Sequence, residues 1–224
     1  MTSARRQDTF RLESYNVVRR HMRPGDTIAF CGKGVTSNAV RFLTRDSLCH
    51  WSPVSHLGVV THVYEGSASE QCKRVLVTES TSLNGKTGVF TRYMSDVLAQ
   101  YNGRIWWLPL DAVLSESLDL DAAEAYLTRM RNAKYDYWQC VRAGFRARFG
   151  FNMTPVNESS KRVFCSEHVA WYHLAANRGA FRALIGNAST VTPLDYCRLP
   201  IYNNFYRQLK GRIRPIAGFN VGVV

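Results

Sequence analysis

Short β-branched runs dominate the first half of this chain and helical periodicity dominates the second. That segregation restricts the folds open to it. DTIAFCG (26–32) reads as a buried strand, and SHLGVVTHVY (55–64), KRVLVTES (73–80) and GRIWWLPL (103–110) read as further strands. TSNAVRFLTR (36–45) has apolar residues at helical spacing behind an N-cap candidate in Thr36 or Ser37. After residue 110 the chain turns helical, through LDAAEAYLTRMRNA (120–133), YDYWQCVRAGFRARF and then RVFCSEHVAWYHLAA (162–176). Strands first and helices afterwards predict an α+β domain, with helices packed on an antiparallel sheet. A helix is also predicted over about residues 10–22, ending before Pro24-Gly25.

At 224 residues, 46% hydrophobic and 12% aromatic, the chain can bury a substantial core, and a disordered class is excluded. No apolar run approaches the ~20 residues that span a bilayer, so no integral membrane segment is expected. MTSARRQDTFRLESYNVVRRHMR lacks an apolar signal-peptide core, which points to a cytoplasmic protein, or one delivered by another route such as packaging in a virion. Cys31, Cys49, Cys72, Cys140, Cys165 and Cys197 are scattered, with no CxxC pair, and are read as free thiols. The net charge of +12, gathered in VVRRHMR, RAGFRARFG and YRQLKGRIR, suits contact with a polyanion or a solvated basic surface equally. No nucleic-acid-binding motif accompanies it. Oligomeric state is not legible.

The two central runs are joined by the polar, glycine-containing EGSASEQ, so a hairpin is expected. With its turn centred between Ser67 and Ala68, opposed residues sum to 135. Val60 then faces Val75, Gly58 faces Val77 and His56 faces Glu79, close enough for the carboxylate to hold the imidazole. In this register His56, Gly58, Val60 and His62 share one face. A histidine so oriented needs a proton to take, and Cys165 heads the helix SEHVAWYHLAAN, where Val169, Tyr172 and Ala176 recur at helical spacing. A helix N-terminus and a nearby imidazolium both favour the thiolate, and the free N–H groups there can bind an oxyanion. Taken singly, each residue reads equally as structural: a buried thiol, a core or surface histidine, a strand-end carboxylate.

PGDTIAF, SHLGVV, VTES and RVFCSEHVAW, in that order, resemble the circularly permuted papain-like amidases, the YiiX-type branch of the NlpC-like superfamily. KYDY (134–137) and TPLDY (192–196) also sit where such proteins carry Y-D and S/T-P-x-D segments. The resemblance implies a single papain-like domain over residues 23–200, an antiparallel sheet or small barrel against helices, with a helical extension (1–22) and a basic C-terminal tail (201–224). It implies Cys165 as nucleophile, His56 as general base and then acid, and Glu79 as the orienting member. The order His–Glu–Cys is the permuted one. The family's thiol hydrolases and acyl-transfer enzymes act on amide or ester bonds, with peptide, cell-wall or lipid-like acyl substrates, and need no cofactor or metal. The N-terminal segment, the basic RAGFRARFGFNMTPVNESSKR and the C-terminal residues depart from the family pattern and leave the substrate open.

Three competing readings are weaker. STSLNGKT (80–87) nearly spells a P-loop, but Ser80 stands where the first glycine is needed, and a polar loop on an Asn84-Gly85 turn explains it better. Cys165, His168 and His173 share a helix but lack a second ligand pair. His168 could replace His56 as the base, yet one turn into the same helix it points along the nucleophile's flank. A non-catalytic binding module on the same fold, contacting nucleic acid or an anionic surface, is the alternative function.

Overall fold

The computed structural model describes residues 10–45, 49–65, 73–83, 85–136 and 162–220. The chain enters through strand β1 (Phe10–Leu12) and the helical turn α1 (Tyr15–Val18), which tightens to 3₁₀ geometry over Arg19–His21. Strand β2 (Thr27–Gly32) and helix α2 (Val35–Leu43) follow. Then come β3 (His56–Tyr64), β4 (Arg74–Leu83), β5 (Lys86–Tyr93), α3 (Met94–Gln100) and β6 (Gly103–Leu108). The helical half holds α4 (Ala112–Glu116) and α5 (Leu120–Met130), each capped by an aspartate. It continues through short strands β7 (Lys134–Tyr135) and β8 (Arg162–Val163) to α6 (Cys165–Ala176), α7 (Arg178–Ile185) and α8 (Pro193–Arg198). Strand β9 (Tyr206–Lys210) closes the order.

Seven strands form one sheet in the order β1-β9-β6-β2-β3-β4-β5, antiparallel except where β1 runs parallel to β9. Its outer strands β1 and β5 do not pair with each other, so the described sheet is open and not a small barrel. The central strand β2 is buried along its whole length. Alternation divides its apolar residues between two cores. Ala29 and Cys31, with Leu57, Val59, Trp106 and Leu108, meet Val169, Ala170 and Tyr172 of α6. Ile28 and Phe30, with Val60, Val77, Ile105 and Trp107, meet Val18, Met22, Met94 and Val97. The molecule is a mixed α+β domain, as expected, with most strands before most helices, although β9 returns to the sheet after the last helix.

Two expectations at the termini need correction. Residues 10–22 are not one helix: the β-branched, arginine-rich stretch yields a strand and barely two tight turns. Residues 201–224 are not simply a tail, because Tyr206 and Gln208 of β9 are buried in the sheet between β6 and β1. The basic residues hide this strand by occupying its half-exposed positions, Arg207 and Lys210. β6 stops at Leu108, before Pro109, which cannot donate a ladder hydrogen bond. The stretch 137–161, which carries most of the predicted helical segment YDYWQCVRAGFRARF and the basic run before Cys165, lies outside the described residues. So do Cys72, Cys140 and most of the EGSASEQ connector. Cys31, Cys165 and Cys197 are free thiols.

Candidate active site

Strands β3 and β4 form the expected hairpin, but in a different register. Val60 pairs with Val77 and Val59 with Thr78, so these pairs sum to 137 and set Glu79 across from Gly58. Next to the connector the pairs sum to 138, as Tyr64–Arg74 and Val63–Val75 do, so the register does not follow from a turn centred between Ser67 and Ala68, and a bulge between Val60 and His62 then shifts the sum by one. Glu79 therefore reaches His56 on the diagonal, with 2.7 Å between His56 Nε2 and Glu79 Oε2. Gly58 makes the diagonal possible. A Cβ there would stand 2.9 Å from Val77 Cγ1 and 3.3 Å from Glu79 Cβ. The space beside His56 is filled by the carboxylate side chain itself.

Helix α6 is the central helix of the domain, with ten of its twelve residues buried. It packs on β3 and α5, and Ser166 Oγ ties its first turn to the Val191 carbonyl at 2.8 Å. Its N-terminus places Cys165 close enough to His56 for the two groups to interact electrostatically. With Nε2 held by Glu79, Nδ1 is the ring nitrogen left for the sulfur. The backbone N–H groups of Leu57 and Ser166 lie near the same sulfur and favour its charged form. Glu79 and His56 are thus hydrogen-bonded and Cys165 interacts electrostatically with His56, with Cys165 at 1% and Glu79 at 2% exposure.

The electrostatics follow from burial and charge. Burial opposes ionisation of Cys165, but the His56 charge and the two backbone N–H groups outweigh it and hold the thiol below its ordinary range. Burial likewise opposes the imidazolium. Cys165 and then Glu79 overcome it and push His56 up to about 10. For Glu79, burial is overcome by His56 and by Arg92, and its carboxyl is held low. The favoured state is a thiolate–imidazolium pair braced by a carboxylate.

Arg92 was missed in sequence. Its Nη2 donates to Glu79 Oε1, the carboxylate oxygen that His56 leaves free. A signal existed. A two-residue turn at Asn84-Gly85 makes opposed residues of β4 and β5 sum to 169, as Leu83–Lys86 and Glu79–Phe90 do. Arg92 then lies diagonal to Glu79 on the same face. Tyr101, from the C-terminal end of α3, was also missed: its ring stands 5.0 Å from that of Phe30, which in turn lies 5.3 Å from the His56 ring.

The other candidates are placed elsewhere. His168 Nδ1 meets Tyr126 Oη at 3.0 Å, and burial pushes the ring down to about 3, so it is neutral and faces α5. His173 accepts from Tyr196 and donates through Nε2 to the Gly25 carbonyl at 2.7 Å. The bulge turns His62 off the His56 face toward Glu124 of α5, at 3.1 Å, which corrects the shared face expected for the two histidines. Among the described residues no cluster of His, Cys, Asp and Glu could hold a metal ion. Ser80–Leu83 end β4 and Lys86-Thr87 begin β5, with Gly85 at φ +77°, so no helix N-terminus follows to cradle a phosphate. No described helix is long and apolar enough to cross a membrane.

No protein-family model matches the chain, and no curated protein matches it in sequence. Among solved structures, it is similar to the crystal structure of metalloprotein yiiX from Escherichia coli O157:H7, DUF1105. The two share 17% identity at a TM-score of 0.43, over 88% of this chain and 91% of that one.

Proposed function

We propose that this protein is a papain-like cysteine hydrolase or acyltransferase with a permuted His56–Glu79–Cys165 triad. The Glu79–His56 hydrogen bond, with Cys165 held beside His56 and its thiol lowered by that histidine, supports this reading more than any other feature. The thiolate attacks the carbonyl carbon of an amide or ester, forming a C–S bond and an oxyanion. Free N–H groups at the start of α6 are the available donors for that oxyanion. Collapse breaks the C–N or C–O bond, and His56 gives its proton to the leaving group. Water or another nucleophile then attacks the thioester, passes its proton to His56 and restores the thiolate. Glu79 keeps the ring oriented and stabilises its charged form throughout. Peptide, cell-wall and lipid-like acyl groups are the substrate classes proposed.

The experiment is a panel of activated acyl esters and anilides followed by intact mass and peptide mapping. An acyl adduct on Cys165, absent from Cys165→Ala and at least 100-fold slower in His56→Ala, is the expected result. Adducts that map to other cysteines, or that survive Cys165→Ala, refute the assignment.

A further inference from the structure

A second site lies against the outer wall of the first. The turns after β2 and β9 and the approach to β6 enclose an open cavity of about 780 Å³ whose lining includes Cys31 and Tyr101. Six cations line it: Lys33, Arg41, Arg104, Lys210, Arg212 and Arg214, and no acidic residue lines it. Nor does any of the six form an ion pair among the described residues. Their hydrogen bonds go to neutral acceptors. Arg41 Nε donates to the Ser52 carbonyl at 2.9 Å, Arg104 Nε to the Arg212 carbonyl at 2.9 Å and Arg214 Nη2 to the Trp51 carbonyl at 3.1 Å. Lys210 Nζ donates to the carbonyls of Leu98 and Ala99. Lys33 and Arg212 make no side-chain hydrogen bond among the described residues.

The loop carrying three of these cations is built with unusual care. Gln208 is fully buried, and its amide serves that loop alone. Nε2 donates to the carbonyls of Lys210, Gly211 and Arg212 at 3.0, 2.9 and 2.9 Å, and Oε1 accepts from the Arg214 N–H at 2.9 Å. Trp106 Nε1 adds a bond to the Arg214 carbonyl at 3.0 Å. At Gly211 (φ +88°) a Cβ would stand 2.9 Å from the Gly103 carbonyl oxygen, so the loop is pressed onto β6. The backbone is thus fixed from within, while like charges crowd one cavity without compensation. Such crowding is unfavourable unless an anion shares the space.

We propose that this cavity binds a phosphate-bearing small molecule or headgroup, with Arg104, Arg212 and Lys33 on its anionic group. Arginine forks and a mobile lysine suit the oxygens of a phosphoryl group, and the volume suits a ligand of metabolite or headgroup size. Tyr101 lines the cavity and packs on Phe30, the neighbour of His56. A ligand anchored there extends toward the Cys165 site. Binding itself is independent of the triad.

The test uses the full chain and pyrophosphate as probe, followed by calorimetry at physiological salt. One-to-one binding is expected, weakened at least tenfold in Lys33→Glu/Arg212→Glu. It should be unchanged within twofold in the charge-matched control Arg131→Glu/Arg182→Glu and in Cys165→Ala. Circular dichroism and melting temperature establish that the variants fold. Phosphatidylcholine vesicles carrying phosphatidic acid distinguish the source. Displacement of pyrophosphate by these vesicles identifies a lipid headgroup, and its absence a soluble phosphorylated ligand. No pyrophosphate binding at millimolar concentration, or equal weakening in both charge-reversed proteins, overturns the site and leaves only diffuse surface charge. Loss of thioester formation with pyrophosphate binding intact would instead count against the catalytic reading alone.

Discussion

At the scale of single residues, the site is an ionic chain in which each charge exists because of its neighbour. Arg92 is the outermost link: it donates to the Glu79 oxygen that faces away from His56. Removing it leaves a buried carboxylate with one donor fewer, which favours the protonated acid and loosens the His56 ring. Arg92→Met is therefore expected to slow Cys165 alkylation and turnover about tenfold, equivalent to ~1.4 kcal/mol, with Arg92→Lys recovering part of the loss. A structural role alone would lower the melting temperature without moving the pH at which Cys165 becomes reactive. His173 offers a second residue-scale prediction. Its neutral form is specified by geometry, with Nε2–H on the Gly25 carbonyl and Nδ1 accepting from Tyr196. Burial pushes it down to about 4. A histidine depressed in the folded state contributes stability that is full above its unfolded value, near 6.5, and is lost as pH falls toward 4. Denaturant titrations at pH 7 and 4.5 should show wild type losing up to about 3 kcal/mol more than His173→Gln.

At the scale of elements, one glycine and one bulge decide whether the charged residues meet. Gly58→Ala would press a methyl group against Val77 and the Glu79 stem. A destabilisation of about 1–3 kcal/mol is expected from such overpacking. Slower Cys165 alkylation should accompany it, even though no polar group is removed. The hairpin was legible from its two apolar runs, but its register was not: pairs next to the connector sum to 138 where a turn centred between Ser67 and Ala68 gives 135, and the bulge between Val60 and His62 shifts the rest by one. A bulge adds a residue to one strand only, and alternating SHLGVV and VTHVY look continuous in sequence. The opposite error occurred at β4 and β5. There β4 and β5 pair without a bulge, in the register that Asn-Gly between two strands announces in sequence, but TGVFTRY mixes glycine, threonine and arginine and does not stand out as a strand. Strand β9 was hidden in the same way, because YRQLK reads as a basic surface when its buried members are Tyr206 and Gln208. Truncation before Tyr206 removes a strand from the interior of the sheet order and should abolish cooperative thermal unfolding.

At the scale of the whole molecule, the sheet separates two cores, and the candidate site forms where α6 meets the start of β3 from the side of the helical layer. The strand-then-helix order was visible because both faces of β2 and β6 are buried and their apolar runs are dense. His56, Glu79 and Cys165 were legible through the hairpin and the helix start. Arg92, Tyr101 and the Gln208-supported basic loop depend on pairings between segments far apart in sequence and leave no local trace. Charge is distributed unevenly as well: six of the 29 basic residues converge on one cavity. The central claim, however, is the thiolate–imidazolium pair, and the pH dependence of iodoacetamide alkylation at Cys165 tests it most directly, read by peptide mass mapping. Because Cys165 is held low and His56 is pushed up to about 10, alkylation in wild type should rise at a pH below the ordinary thiol range and then level off until His56 loses its proton, at about pH 10. In His56→Ala the rise should move up to pH 8.5 or higher, the range of an unassisted thiol. A wild-type rise centred near pH 8.5 that His56→Ala leaves in place would contradict the pair, and with it the proposed chemistry.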